Sequence, residues 1–265
     1  MTTDCREEEF FLGPTGLYTA FYPAESAATA ILIPPLFEEH PRTRKLLINT
    51  ARRLASLGIR AVRFDYAGTG LSHGSGTELS PANTLRDMDT VCCHTRANFG
   101  SRILLIGLRY GGYAALRYRN ECNRSYPCLL WEPITDLSHY VAACLKIALA
   151  NQLVTYGTIR MNQKELVARL ESGLSVLVDG YALTGGFYKQ GKTEAKDIFS
   201  HPLSLADAGM VWWKSSAGHA SCQKMEIPST FLPGIRTSWE NIRYIDNQPE
   251  ALLEFTANWC RYHAT

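Results

Sequence analysis

Short apolar runs alternate along the chain with longer segments of helical period, a rhythm that predicts βαβ units and a mainly parallel sheet. The strand-like runs are Leu17 to Tyr22, Thr29 to Pro34, Arg60 to Asp65, Arg102 to Gly107, Pro127 to Trp131, Met210 to Lys214 and Ser229 to Leu232. Their continuous apolar character, without strict alternation, marks strands buried on both faces. Helical patterns fall between them, over Arg42 to Leu57, Pro81 to Asn98, Gly111 to Asn120 and Pro249 to Tyr262. Gly58 and Gly100 stand where the first two helices should be capped. In the first, Leu46, Leu47, Thr50, Leu54 and Leu57 recur at three- and four-residue spacing, which lays one stripe against a sheet.

Between Pro133 and Leu205 the rhythm breaks. Helical stretches from Leu137 to Tyr156 and from Gln163 to Gly173 precede SVLVDGYALT, whose Asp179-Gly180 pair invites a type I′ hairpin. A single domain over residues 1–265, with a small lid inserted at 133–205, is the simplest organisation. The lid would carry Tyr140, Tyr156, Phe187 and Tyr188 toward the mouth of a site.

The chemistry concentrates in RILLIGLRYGGYAAL, an apolar strand followed by Gly107-Leu108-Arg109-Tyr110-Gly111-Gly112 and an alanine-bearing helical run. This is the frame of a nucleophile elbow, in which glycines permit a cramped strand-to-helix turn and the central side chain is presented above the sheet. Here the central residue is Arg109. Two further segments fit the same plan in the right order. ILIPPLFEEH occupies the strand-to-loop position that supplies an oxyanion-hole amide, and VRFDYAGTGLS resembles a D-x-R-G-x-G-x-S turn.

On PPLFEEH, FDYAGTGLS, GLRYGG, LLWEP and VDGYALT, the chain from about Leu17 to Tyr262 resembles the exosortase A system-associated hydrolases. These form a branch of the α/β-hydrolase superfamily related to serine aminopeptidase-like and thioesterase-like enzymes. The resemblance implies the α/β-hydrolase fold, a mostly parallel central sheet flanked by helices, and an active site at the bend that carries Arg109.

The departures set the chemical expectation. A guanidinium stays charged and has no hydroxyl to acylate, so an acyl-enzyme at Arg109 is excluded. The stretch Pro233 to Gln248, where a triad histidine would stand, contains none. Among the seven histidines, His219 and His40 are the candidates for lining the site. Glu38 and Glu39 on the neighbouring loop, and Glu132 after the next strand, are acids within reach of Arg109. Two readings stay open: an ion pair that closes a dead pocket, or a cation that binds a carboxylate or enolate while Glu38 or Glu39 moves a proton. Backbone amides at Phe37 and Tyr110 are the oxyanion donors on this view, and Leu36, Glu132 and Trp239 are further oxyanion or substrate contacts. Ser72, Ser215 and Cys222 are displaced nucleophile candidates.

Composition narrows the partners. A net charge of +2 over 265 residues is too balanced for nucleic acid or an anionic membrane to be the main partner. The run from Arg42 to Arg63 is basic, and such a run is ordinarily a solvated face. The eight cysteines lack CxxC pairs or histidines at zinc spacing, so reduced structural thiols and no metal are expected. No uninterrupted run of eighteen apolar residues is present, and the start MTTDCREEEF is acidic; a cytoplasmic protein is expected. The whole predicts a hydrolase-like enzyme without a cofactor, acting on an acyl or carbonyl substrate carried free, on CoA or on a carrier protein, in a biosynthetic pathway. The alternative is a catalytically inactive binding or scaffold protein.

Overall fold

A computed structural model describes residues 6–122, 124–193, 208–212, 223–226 and 250–264. The first three strands are β1 (Glu8–Leu12), β2 (Leu17–Tyr22) and β3 (Thr29–Ile33). Helix α1 (Glu39–Ser56), β4 (Arg60–Phe64), α2 (Pro81–Phe99), β5 (Ile103–Leu108), α3 (Tyr110–Glu121) and β6 (Cys128–Trp131) follow. The chain then builds α4 (Leu137–Tyr156), α5 (Gln163–Glu171), the hairpin β7 (Val176–Val178) and β8 (Tyr181–Leu183), and α6 (Gly185–Thr193). It returns through β9 (Ala208–Trp212), β10 (Gln223–Glu226) and α7 (Glu250–Ala264).

Among the described residues, eight strands form one sheet in the order β1-β2-β4-β3-β5-β6-β9-β10. From β4 to β10 the neighbours run parallel, and only β2 with β1 and β4 pairs antiparallel. Alternate residues of the central strands feed two cores, as a period of two requires. Ile31, Ile33, Leu105 and Leu130 join α2, α3 and the inserted elements on one face. Leu32, Leu104, Ile106 and Trp131 join α1 and α7 on the other. The expected stripe of α1 is in place, with Leu46, Leu47, Thr50 and Leu54 buried. Gly58 and Gly100 follow α1 and α2 at φ 79 and 96.

Several expectations need adjustment, and β10 is a strand that the sequence does not predict. β1 was not anticipated: EEFFL is half exposed in alternation and pairs only with β2, so it lacks the continuous apolar signature. α6 was not anticipated either, because its sequence GGFYKQGKT reads as a loop; buried Phe187 and Tyr188 hold it in place. The strand expected from Met210 begins earlier, at Ala208, and Ser229 to Leu232 lies outside the described residues. Helix α4 is long and apolar enough by length and composition to cross a membrane. In this fold it turns Leu137, Val141, Cys144, Leu145 and Ala148 inward.

Candidate functional site

Parallel strands deliver their C-terminal ends to one edge of the sheet, and loops that leave neighbouring strands meet there. β5 pairs with β3 through Ile33 and Gly107, and with β6 through Leu108 and Trp131. The three loops that follow therefore converge: 34–38 after β3, Arg109 after β5 and Glu132 after β6. All three contain a residue in a strained backbone region, Phe37 at φ 54, Arg109 at φ 54 and Glu132 at φ 44. Such outliers persist where surrounding structure over-determines them.

The glycines of the bend are explained by close approach. A Cβ on Gly107 would stand under 3.0 Å from the Gly111 backbone, and one on Gly111 under 3.0 Å from the Ile33 and Pro34 carbonyl oxygens. Gly112 packs against Pro133 in the same way. Between them Arg109 takes φ 54, ψ −115 as the residue capping α3. Its backbone N–H donates to the Trp131 carbonyl at 2.9 Å, and its own carbonyl accepts from Ile134 at 3.2 Å.

The Arg109 guanidinium lies over this junction. Its Nε donates to Glu39 Oε1 at 2.9 Å and its Nη1 to the Glu132 carbonyl oxygen at 3.4 Å. Burial works against the charge, but Glu39 first and Glu132 next outweigh it and hold the guanidinium above its ordinary pKa. Arg109 is a permanent cation. The other Glu39 oxygen, Oε2, is buried and accepts no hydrogen bond among the described residues.

Glu38 and Glu39 stood equal in the sequence, and the structure separates them. Glu38 turns the other way, paired with Arg42 one helical turn on. Burial, and then a hydrogen bond with Asp179 of the β7–β8 turn, push its carboxyl above the usual range against the pull of Arg42. Asp179 is itself anchored by Asn151 Nδ2 at 2.9 Å. The predicted hairpin thus brings a carboxyl to the loop after β3, a contact no local signal announced.

Aromatic rings roof the pair. The Tyr140 ring from α4 stacks on Phe37 at 6.1 Å and on Tyr110 at 6.3 Å, and Phe187 meets both at 5.7 and 5.6 Å. The Tyr140 phenol is held well above its usual pKa by burial and then by Glu39. Leu36, Phe37 and Tyr110 are buried. Tyr110 Oη is bonded to Thr84 Oγ1 at 2.8 Å. Tyr188 is buried beneath Lys192, and Tyr156 stands apart on the far end of α4.

His40 does not line this junction. Its Nε2 meets Asp65 Oδ1 at 2.9 Å in a buried pair. Burial raises the Asp65 pKa, but the His40 bond and charge, with the Leu71 amide, pull it below the usual range. The turn that follows wraps this pair: Leu71 N–H donates to Asp65 Oδ2 at 2.9 Å, and Gly70, at φ 53, has no room for a Cβ against that oxygen. Ser72 Oγ donates to the Asp65 carbonyl at 2.6 Å and accepts from Tyr18 N–H at 2.8 Å. Its hydroxyl is engaged in the turn. His219, Trp239, Ser215 and Cys222 lie outside the described residues. No group of three or more metal-ligating side chains is found among the described residues.

No family model and no curated protein matches the chain. Solved structures do. Est1E of Butyrivibrio proteoclasticus, in its form with ferulic acid bound, is 14% identical, with a TM-score of 0.64 over 96% of this chain and 98% of its own. The α/β hydrolase GrgF of Penicillium sp. sh18 is 16% identical, with a TM-score of 0.58 over 98% of each chain. At such identities the likeness speaks for architecture alone. With its mostly parallel sheet, flanking helices and strained strand-to-helix bend after β5, this chain has the fold of the α/β hydrolases.

Proposed function

We propose that the chain is an enzyme on the hydrolase scaffold in which Arg109 occupies the place of the serine nucleophile, so that the reaction proceeds without an acyl-enzyme. Its substrate is an acyl or carbonyl compound, carried on CoA or a carrier protein in the thioester form. Arg109 stabilises a carboxylate or developing enolate, and Glu39 takes or returns the proton at the adjacent carbon. The backbone amides of Phe37 and Tyr110 face the carbonyl oxygen. The inserted elements α4 to α6 act as a cap that keeps water from the pair, because charge interactions strengthen as solvent leaves.

One observation carries this reading: Glu39 Oε2 is buried beside a fixed cation and accepts no hydrogen bond among the described residues. A carboxylate oxygen with no protein donor beside a fixed cation is available to take a proton from a substrate, whereas one closed by protein donors is not.

The test is exchange of the α-protons of acetyl-CoA and longer acyl-CoA thioesters in D2O, followed by NMR. The native chain should accelerate exchange, and Glu39→Gln and Arg109→Ala should each abolish it. Exchange that persists in both variants would refute the assignment. A second reading rests on the way Glu39 and the Glu132 carbonyl already hold Arg109 under Tyr140 and Phe187: a ligand-binding protein with no turnover. Acyl-thioester binding that survives Glu39→Gln, with no exchange by the native chain, would favour it.

A further inference from the structure

A concavity lies away from the Arg109 bend, between the C-terminal half of α4, the loop into α5 and the β7–β8 hairpin. Its volume is about 610 Å³, within the ~300–1,000 Å³ of ordinary small-molecule sites. Ala148, Leu166 and Val176 give it an apolar floor, each of them buried. Arg160 and Arg169 stand in its wall, and neither forms a salt bridge among the described residues. Asp179 also lines it.

The cationic side is built rather than loose. Gln152 Oε1 accepts from the backbone N–H of Arg160 and of Met161 at 2.9 and 2.8 Å, and its Nε2 donates to the Met161 carbonyl at 3.0 Å. The Arg160 guanidinium lies 3.7 Å from the centre of the Tyr156 ring. Arg169 Nε donates to the Ser175 carbonyl at 2.9 Å. Two guanidiniums and buried apolar side chains thus line one concavity. Guanidinium forks match the planar oxygens of carboxylate and phosphate.

We infer that this pocket binds an amphipathic organic anion, an unbranched chain ending in a carboxylate or phosphate, with the chain on Ala148, Leu166 and Val176 and the head on Arg160 and Arg169. The site is distinct from the Arg109–Glu39 pair and goes beyond the function proposed for it. Calorimetric titration of the full chain with decanoate, decyl phosphate and decanol tests it. At least one of the anions should bind with one-to-one stoichiometry, and decanol at least tenfold more weakly; the tighter anion identifies the head group. Arg160→Gln with Arg169→Gln should weaken anion binding at least tenfold. Thr155→Trp, a filling change at an exposed position of the lining, should abolish it, and unliganded Tm should be unchanged in both cases. Absence of binding by either anion, equal binding of decanol, or affinity unchanged in the variants would overturn the inference. Loss of the anion in Arg109→Ala alone would do the same, by placing it at the bend.

Discussion

Arg109 is held at φ 54, ψ −115, a region that crowds any residue with a Cβ. Two substitutions isolate that strain. Arg109→Ala and Arg109→Gly both remove the guanidinium and both leave Glu39 without its partner, so this common loss cancels in their difference. What remains is the backbone term. Holding a non-glycine residue there costs about 1–3 kcal/mol, while glycine brings about 0.5–1 kcal/mol of extra chain entropy to lose on folding. The glycine variant should therefore exceed the alanine variant in stability by about 1 kcal/mol, roughly 2–4 °C in Tm for a chain of this size. Urea denaturation of the two proteins measures the difference, with equal m-values as the check that both unfold from comparable states. An alanine variant as stable as the glycine variant, or more so, would refute the claim that the bend stores strain and is imposed by its surroundings.

Other consequences are open to measurement. Burial, opposed by the Ala67 N–H bond, pushes the Asp87 carboxyl up to about 6; the folded chain keeps this proton after the unfolded chain has lost it. Stability therefore falls as pH rises from about 4 to 6, with the full penalty present above that window and a ceiling of about 3 kcal/mol. Asp87→Asn should gain on the native chain between pH 4 and 7.5, and a difference in unfolding free energy that stays flat with pH would contradict this. Gly111→Ala drives a Cβ into the Ile33 and Pro34 carbonyls and should cost about 3 kcal/mol or more, whereas Gly58→Ala, with no atom nearby, should cost about 1 kcal/mol; thermal melts of the pair decide it. Thr184 Oγ1 donates to the Leu79 carbonyl at 2.6 Å and accepts from Phe187 N–H at 3.0 Å. Thr184→Ala should cost about 1–2 kcal/mol and speed hydrogen exchange in α6, while Thr184→Ser should restore both.

The sequence by itself determined the central parallel strands, because strands buried on both faces are continuous apolar runs, and those expected at Thr29 to Pro34 and Arg60 to Asp65 match β3 and β4 to within one residue. It also determined the bend at Arg109, since glycines recur where neighbouring backbone leaves no space for a side chain. β1 and α6 depend on tertiary structure for the opposite reason. EEFFL meets solvent on one side, and GGFYKQGKT is held by contacts from elsewhere, so neither carries a local signal of its own.

Which acid faces Arg109 was a tertiary matter. Glu38 and Glu39 are adjacent at the start of α1, and one helical residue turns a side chain by about 100°, enough to send one carboxylate to Arg109 and the other to Arg42 and Asp179. That rotation depends on where the chain leaves the Phe37 turn and enters α1. The His40–Asp65 pair and the meeting of Glu38 with Asp179 have the same origin. Their partners are far apart along the chain, and only the packing of strands and inserted helices brings them within a hydrogen bond.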